Sequence, residues 1–221
     1  MASFIDDKDT IPGRLCLCKR PGKAIQRDRT LRNVRLLIID NYDSFTYNLV
    51  QLVEQADYRD FFLVKNDGLH QVSPDVFDKV LISPGPGIAR EAGTLMEFLQ
   101  KIHAEKPVLG VCLGYEALAE LFGGKLVQMP EPMHGIRNRG IIVRQDRIFE
   151  GLPNEFQIGH YHSWIIEAQD MPAELEILMK DESGLPMAFR HRTFDLTGLQ
   201  FHPESVMTEF GNRIIGNWLS Q

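Results

Sequence analysis

Gly110-Val111-Cys112-Leu113-Gly114 has the form of a nucleophile elbow, G-x-[nucleophile]-x-G, between an apolar run and a helical stretch. The glycines let the backbone turn tightly and let other segments approach. Such a turn lifts the Cys112 sulfur above a sheet edge at a helix N-terminus, where partial positive charge is expected to favour the thiolate. The N–H of Leu113 then faces a developing oxyanion. Taken alone, Cys112 could equally be a cysteine packed as a small hydrophobe.

A second segment, Ser83-Pro84-Gly85-Pro86-Gly87, follows the apolar run Val80–Ile82. A Gly-Pro-Gly turn exposes amide N–H groups without Cβ obstruction, which suits Gly85 to a second oxyanion donor and the loop to holding a polar substrate; a plain turn is the alternative. The loop has neither the Lys nor the Ser/Thr of a phosphate-binding loop. A third segment is Gln200-Phe201-His202-Pro203-Glu204-Ser205. Pro203 biases His202 towards an extended conformation, and extended residues two apart share a side, so Glu204 is expected to fix the His202 ring. A cysteine nucleophile needs such an oriented base.

Positioning these groups requires a sheet whose strand ends converge. Leu36–Ile39, Phe61–Val64, Val80–Ile82 and Val108–Val111 are short continuous apolar runs, the mark of strands covered on both faces. Amphipathic stretches separate them: Phe45–Val53, capped by Asp43 or Ser44, then about Glu91–His103 and Gly114–Phe122. The alternation predicts an open, mostly parallel α/β sheet with helices on both faces, and right-handed crossovers bring the loops after the strands to one edge. Beyond Gly124, short runs at Gly140–Val143, Trp164–Glu167, Glu174–Met179 and Met187–Arg190 predict a smaller antiparallel extension. A last helix is expected over roughly Val206–Leu219.

The 221 residues suffice for one domain, read as 34–221, preceded by a poorly ordered extension at 1–33. Residues 1–33 hold 8 Lys/Arg against 4 Asp/Glu, which leaves 16 against 26 for the rest, so a +4 stretch precedes a −10 body. The net charge of −6 argues against nucleic acid or an anionic membrane as partner. No apolar run approaches the ~18–20 residues that span a bilayer, and no signal peptide is evident. Cys16 and Cys18 are too close for an ordinary bridge, and an odd total of three cysteines fits a reducing, cytoplasmic setting.

In this order the segments resemble the class I (triad) glutamine amidotransferases, most closely the glutaminase subunits of anthranilate and aminodeoxychorismate (para-aminobenzoate) synthases. Asp40-Asn41-Tyr42-Asp43-Ser44-Phe45-Thr46-Tyr47-Asn48-Leu49 is similar to that group's opening signature. Ser83–Gly87, Gly110–Gly114, Tyr161-His162-Ser163 and Gln200–Ser205 are similar to its later ones, so the resemblance covers about 34–221. It implies a Cys112–His202–Glu204 triad acting on the side-chain amide of L-glutamine, with Gly85 and Leu113 as oxyanion donors. It further implies substrate contacts from Gly85, Pro86, Gly87, Glu116, Ser163 and Trp164. No metal or organic cofactor is implied, and the ammonia passes to a separate chorismate-binding synthase subunit.

Three positions depart from the resemblance. Tyr115-Glu116 replaces the usual His-Gln, Trp164 stands where Leu is common, and Ile136 replaces a frequent Lys after His134-Gly135. An ionised Glu116, at ~6 Å and an effective dielectric near 20, would oppose the Cys112 thiolate by roughly 2–3 kcal/mol. That offsets most of a helix-dipole benefit of up to ~2 kcal/mol. Glu116 therefore predicts reduced but real glutaminase activity, and it favours a second reading, a catalytically weak or silent regulatory subunit of the same complex. A stand-alone Cys-His peptidase or γ-glutamyl hydrolase on the same fold is a third.

Overall fold

Leu36-Leu37-Ile38-Ile39-Asp40 forms β1 (Leu36–Asp40), buried along its whole length. The computed structural model describes residues 34–221, so Cys16, Cys18 and the basic stretch lie outside the described residues. β1 pairs in parallel with β2 (Phe61–Lys65) on one side and β3 (Lys79–Ile82) on the other. β4 (Val108–Val111) continues the parallel sheet beyond β3. Alternate side chains of β1 serve two cores: Leu36 and Ile38 join one cluster, Leu37 and Ile39 the other.

α1 (Thr46–Gln55) and α4 (Gly211–Leu219) cover the first face through Leu49, Val53, Ile214, Ile215 and Trp218. α2 (Leu95–Ile102) and α3 (Leu113–Leu121) cover the second. The spacing of Leu95, Phe98, Leu99 and Ile102 places all four on one buried stripe of α2. Each such side chain contributes about 1.5–3 kcal/mol by leaving water. Helices on both faces and a parallel sheet are as the apolar runs predict.

The antiparallel extension is also present, but its form differs from expectation. Of the expected run Gly140–Val143, the first three residues are only the end of a 16-residue strand, β5 (Val127–Ile142), hairpin-paired with β6 (Glu155–Ile165). β7 (Leu175–Asp181) and β8 (Pro186–His191) connect that hairpin to the parallel half through β9 (Leu196–Leu199). β9 was not among the expected strands, yet it pairs in parallel with β4 and joins the two halves into the order β2-β1-β3-β4-β9-β8-β7-β5-β6.

Helix starts required correction as well. Asp43 does not cap α1: its Oδ1 accepts the N–H of Phe45 at 2.7 Å, an Asx turn before the helix, and α1 has no side-chain cap. α2 begins at Leu95 rather than Glu91, because Gly93 at φ +57 separates it from a single 3-10 turn at Ala89–Glu91. α4 begins at Gly211 rather than Val206. Phe210 adopts φ +60, which ends the preceding turns, and Val206 is 99% exposed.

Candidate active site

Cys112 stands between β4 and α3 at φ +52 and ψ −104, a left-handed conformation in a residue with a Cβ. Such a conformation costs about 1–3 kcal/mol and persists only where its surroundings enforce it. The Cys112 N–H donates to Leu199 of β9 at 2.8 Å, and its carbonyl accepts the Glu116 N–H at 3.0 Å. Gly110 makes the turn possible, since a Cβ there would lie 2.3 Å from the Gly114 carbonyl oxygen. The strand-to-helix elbow read from the sequence is therefore present, with its strain on the cysteine.

The thiol opens into a pocket of about 110 Å³. Gly85, Pro86 and Gly87 form one wall, Cys112 and Glu116 another, and His134, Tyr161, His162, Ser163 and Trp164 a third. The Gly85 loop is held in place by Asn41, whose backbone N–H donates to Ser83 Oγ at 3.0 Å and whose Nδ2 donates to Ser83 O at 2.8 Å. A Cβ at Gly85 would lie 3.2 Å from Leu113 Cδ1, so the loop after β3 and the start of α3 are in contact. Side-by-side parallel strands bring these loops to one edge, as expected.

His202 and Glu204 meet, but not along an extended segment. The Ser205 N–H donates to the His202 carbonyl at 3.2 Å, closing a turn, within which His202 Nδ1 lies 2.7 Å from Glu204 Oε1. The His202 N–H donates to Gly159 of β6 at 3.1 Å, and its carbonyl accepts the Thr208 hydroxyl at 2.6 Å. Tyr161 and Phe45 pack on the ring at centroid distances of 5.0 and 5.7 Å. Both members of the pair are buried, neither lines the pocket, and among the described residues His202 Nε2 has no hydrogen-bond partner, the Cys112 sulfur included. With Nδ1 held by a carboxylate, Nε2 is the nitrogen free to exchange a proton. Catalytic hydrogen bonds are commonly long before substrate binds.

The electrostatics reverse two sequence expectations. Burial pushes the Cys112 thiol well above its ordinary pKa, and Glu116 once ionised, Glu204 and Asp43 add to the rise; the Leu113 N–H opposes it. Desolvation outweighs the helix terminus, so the resting sulfur is a thiol that needs a base. Burial likewise pushes Glu116 up to about 8, reinforced by Glu120 and opposed by the hydrogen bond from Gln200. Glu116 is therefore mostly a neutral acid at pH 7, and the expected 2–3 kcal/mol repulsion is largely absent there.

His134, Tyr161 and His162 line the pocket although no role had been drawn for them from the residues. Behind the wall, His162 Nδ1 lies 3.0 Å from Trp164 O, His162 Nε2 lies 3.0 Å from His160 Nδ1, and His160 Nε2 lies 2.6 Å from Asn138 Oδ1. Two neutral imidazoles carry two N–H protons, whereas this chain ends on acceptors and would use three. Burial decides the matter: it depresses His160 to about 4 and His162 to about 3, so both stay neutral.

That depression has a stability consequence. Unfolded histidines titrate near pH 6.5, so below that pH the unfolded chain binds protons that the folded chain refuses. Stability contributed above about pH 6.5 is lost as pH falls towards about 4, by on the order of 3 kcal/mol per histidine. Urea midpoints at pH 7, 6 and 5 should fall less steeply in His160→Gln than in the wild type; parallel slopes would contradict the assignment.

A larger depression of about 600 Å³ lies between α1 and α4, but Arg213 is its only charged lining residue and that side chain is tied to Gly151 O at 2.8 Å. Among the described residues it is lined by no Cys, His, Asp or Glu. Among the described residues, no group of three or more His, Cys, Asp or Glu side chains is placed to hold a metal, and no helix is long and apolar enough to cross a membrane.

A strained cysteine on a strand-to-helix turn, a glycine loop beside it and a buried His–Glu pair define an α/β protein organised around a thiol pocket. The chain belongs to the class-I glutamine amidotransferase family, whose sequence pattern matches residues 37–221, and it is a glutamine amidotransferase. It is 39% identical over 186 residues to aminodeoxychorismate synthase component 2 of Escherichia coli (strain K12), spanning 83% of this chain and 98% of that one. It is 38% identical over 189 residues to aminodeoxychorismate/anthranilate synthase component 2 of Bacillus subtilis (strain 168), spanning 83% and 95%. The fold matches a glutamine amidotransferase from Thermotoga maritima with a TM-score of 0.66 at 19% identity, over 79% of this chain and 77% of that one.

Proposed function

We propose that this chain is the glutaminase subunit of a chorismate-using synthase, and that Cys112, His202 and Glu204 carry the chemistry. His202 Nε2 takes the Cys112 thiol proton as the sulfur attacks the side-chain amide carbon of L-glutamine. The same nitrogen returns the proton to the departing ammonia, and water then hydrolyses the thioester. Glu204 holds the ring and stabilises its charged form. Gly85 and Leu113 N–H groups face the oxyanion, each worth about 3 kcal/mol in the transition state. Gly85, Pro86, Gly87, Glu116, Ser163 and Trp164 hold the substrate.

One observation carries this reading: the strained Cys112 lines a pocket together with Tyr161, and the His202–Glu204 pair, 2.7 Å apart, packs against that tyrosine. Burial holds Glu116 towards its neutral form at pH 7, which disfavours a silent subunit. A pocket of about 110 Å³ suits an amino-acid side chain better than a polypeptide, which disfavours a peptidase. The names of the Escherichia coli and Bacillus subtilis relatives support a chorismate-using partner, and a thiol that must stay reduced supports a cytoplasmic setting. Residues 1–33 stand outside the enzyme domain in this reading.

The test supplies a chorismate-binding synthase subunit from the same organism with chorismate and L-glutamine. Aromatic amine should form only when this chain is added, whereas ammonium salts should support the partner alone. Glutamine-dependent product without this chain would overturn the assignment.

A further inference from the structure

Glu116 lies on α3 one turn beyond Cys112, 2% exposed, on the wall of the thiol pocket. Its carboxyl accepts a hydrogen bond from Gln200 Nε2 at 3.2 Å, and among the described residues the Oε1 of that same amide is buried without a partner. On its own helix it is flanked by Cys112, Tyr115 and Glu120; Glu120 is engaged by Arg90 at 2.7 Å. Across the pocket β5 and β6 present His134 and His162, and His162 is held neutral by burial. The segment after β9 presents the uncharged Gln200. No cation is among the groups that act on Glu116, so a carboxylate there is uncompensated and desolvated.

A neutral carboxylic acid presents one O–H donor and one carbonyl acceptor, the same complement that a carboxamide offers in one plane. Turning over the Gln200 amide would also give its unpartnered Oε1 the Glu116 O–H to accept. The ionised side chain offers acceptors only and adds a negative charge beside a thiol that must itself ionise. We propose that Glu116 is a proton-gated substrate-binding residue: as the neutral acid it reads the polar groups of L-glutamine, and as the carboxylate it shuts the site by opposing Cys112. This rests on the glutaminase reading above. Glutaminase turnover in this protein is thereby tied to the protonation of a wall residue as well as to the triad.

The gate works in one direction. The proton is held up to about pH 8, so activity is present below that pH and is lost above it, by about tenfold per pH unit for a single ionisation. Because the folded pKa lies above the unfolded value near 4.3, the same group stabilises least at alkaline pH: its penalty grows as pH rises from about 4.5 to about 8.

The experiment compares the full-length wild type and Glu116→Gln, each in complex with the chorismate-binding synthase subunit. Ammonia release from L-glutamine is followed as kcat/KM from pH 6 to 10, normalised to pH 7, and melting temperatures of the uncomplexed chains are taken at pH 5 and 8. The wild type should lose activity above pH 8 while Glu116→Gln keeps it, giving a ratio of about tenfold at pH 9. The variant should also gain more in melting temperature at pH 8 than at pH 5. Identical alkaline limbs, or a melting difference independent of pH, would overturn the gate. Absence of ammonia release from both proteins at every pH defeats the glutaminase reading itself, and the melting comparison then still decides whether Glu116 holds its proton.

Discussion

Cys112→Ala should abolish ammonia release from L-glutamine, by at least about a thousandfold in kcat, while leaving the fold intact. The alanine keeps the Cβ at φ +52 and so keeps the elbow strain, and it removes one buried sulfur on the pocket wall. Its melting temperature should remain within a few degrees of the wild type, since the change deletes a single buried atom and leaves the backbone turn in place. Binding of L-glutamine, measured calorimetrically in the complex with the synthase subunit, should persist, because the Gly85–Gly87 loop and the Ser163-Trp164 wall are untouched. A variant that binds and folds but does not turn over separates loss of the nucleophile from loss of the site. Residual activity within tenfold of the wild type would remove Cys112 from the mechanism.

Gly211→Ala should be the most damaging substitution of a residue outside the pocket. The Cβ would sit 1.7 Å from the carbonyl oxygen of Pro203, well inside any tolerated contact, so either α4 or the turn holding His202 and Glu204 must move. Moving α4 disturbs Ile214, Ile215, Trp218 and Leu219, which are buried; overpacking of this kind costs about 1–3 kcal/mol or more. Moving the turn shifts a base held at 2.7 Å from its orienting carboxylate, and a 1 Å misplacement costs about a hundredfold in rate. Gly216→Ala is the control within the same helix: its Cβ meets nothing within 4 Å, and alanine should stabilise by about 0.5–1 kcal/mol. Urea midpoints and kcat/KM for both variants check this. Native values for Gly211→Ala would show that the close approach is not rigid.

The parallel half of the sheet was legible because β1, β3 and β4 are covered on both faces and therefore read as unbroken apolar runs. β9 escaped notice although it is equally buried. Its Leu-Thr-Gly-Leu sequence is interrupted by the polar Thr197 together with Gly198, where a Cβ would lie 2.6 Å from the Phe189 ring. The packing that makes this strand central is what removes its strand signature. The β5–β6 hairpin escaped for the opposite reason: most of β5 is exposed, with Pro130, Pro132 and several charges, so nothing in it alternates. Its pairing comes from long-range contacts.

Within the site, Cys112, the Gly85 loop and the His202–Glu204 pair were each readable from short local patterns. Their states were not. Whether the thiol and Glu116 are charged depends on how deeply the folded chain buries them, and no local pattern reports that depth. The His160–His162 chain is similar: two histidines two apart suggest a shared strand face, but their link to Asn138 depends on the register of β5 against β6.

The central claim is that Cys112 forms a covalent acyl intermediate with glutamine. Acid quenching of the synthase complex during turnover of L-glutamine, followed by proteolysis and mass spectrometry, reads this directly. One glutamyl group should appear on the peptide containing Cys112 and be missing when Cys112→Ala is used. Steady ammonia release with the adduct on another residue, or with equal adduct in Cys112→Ala, would contradict the account.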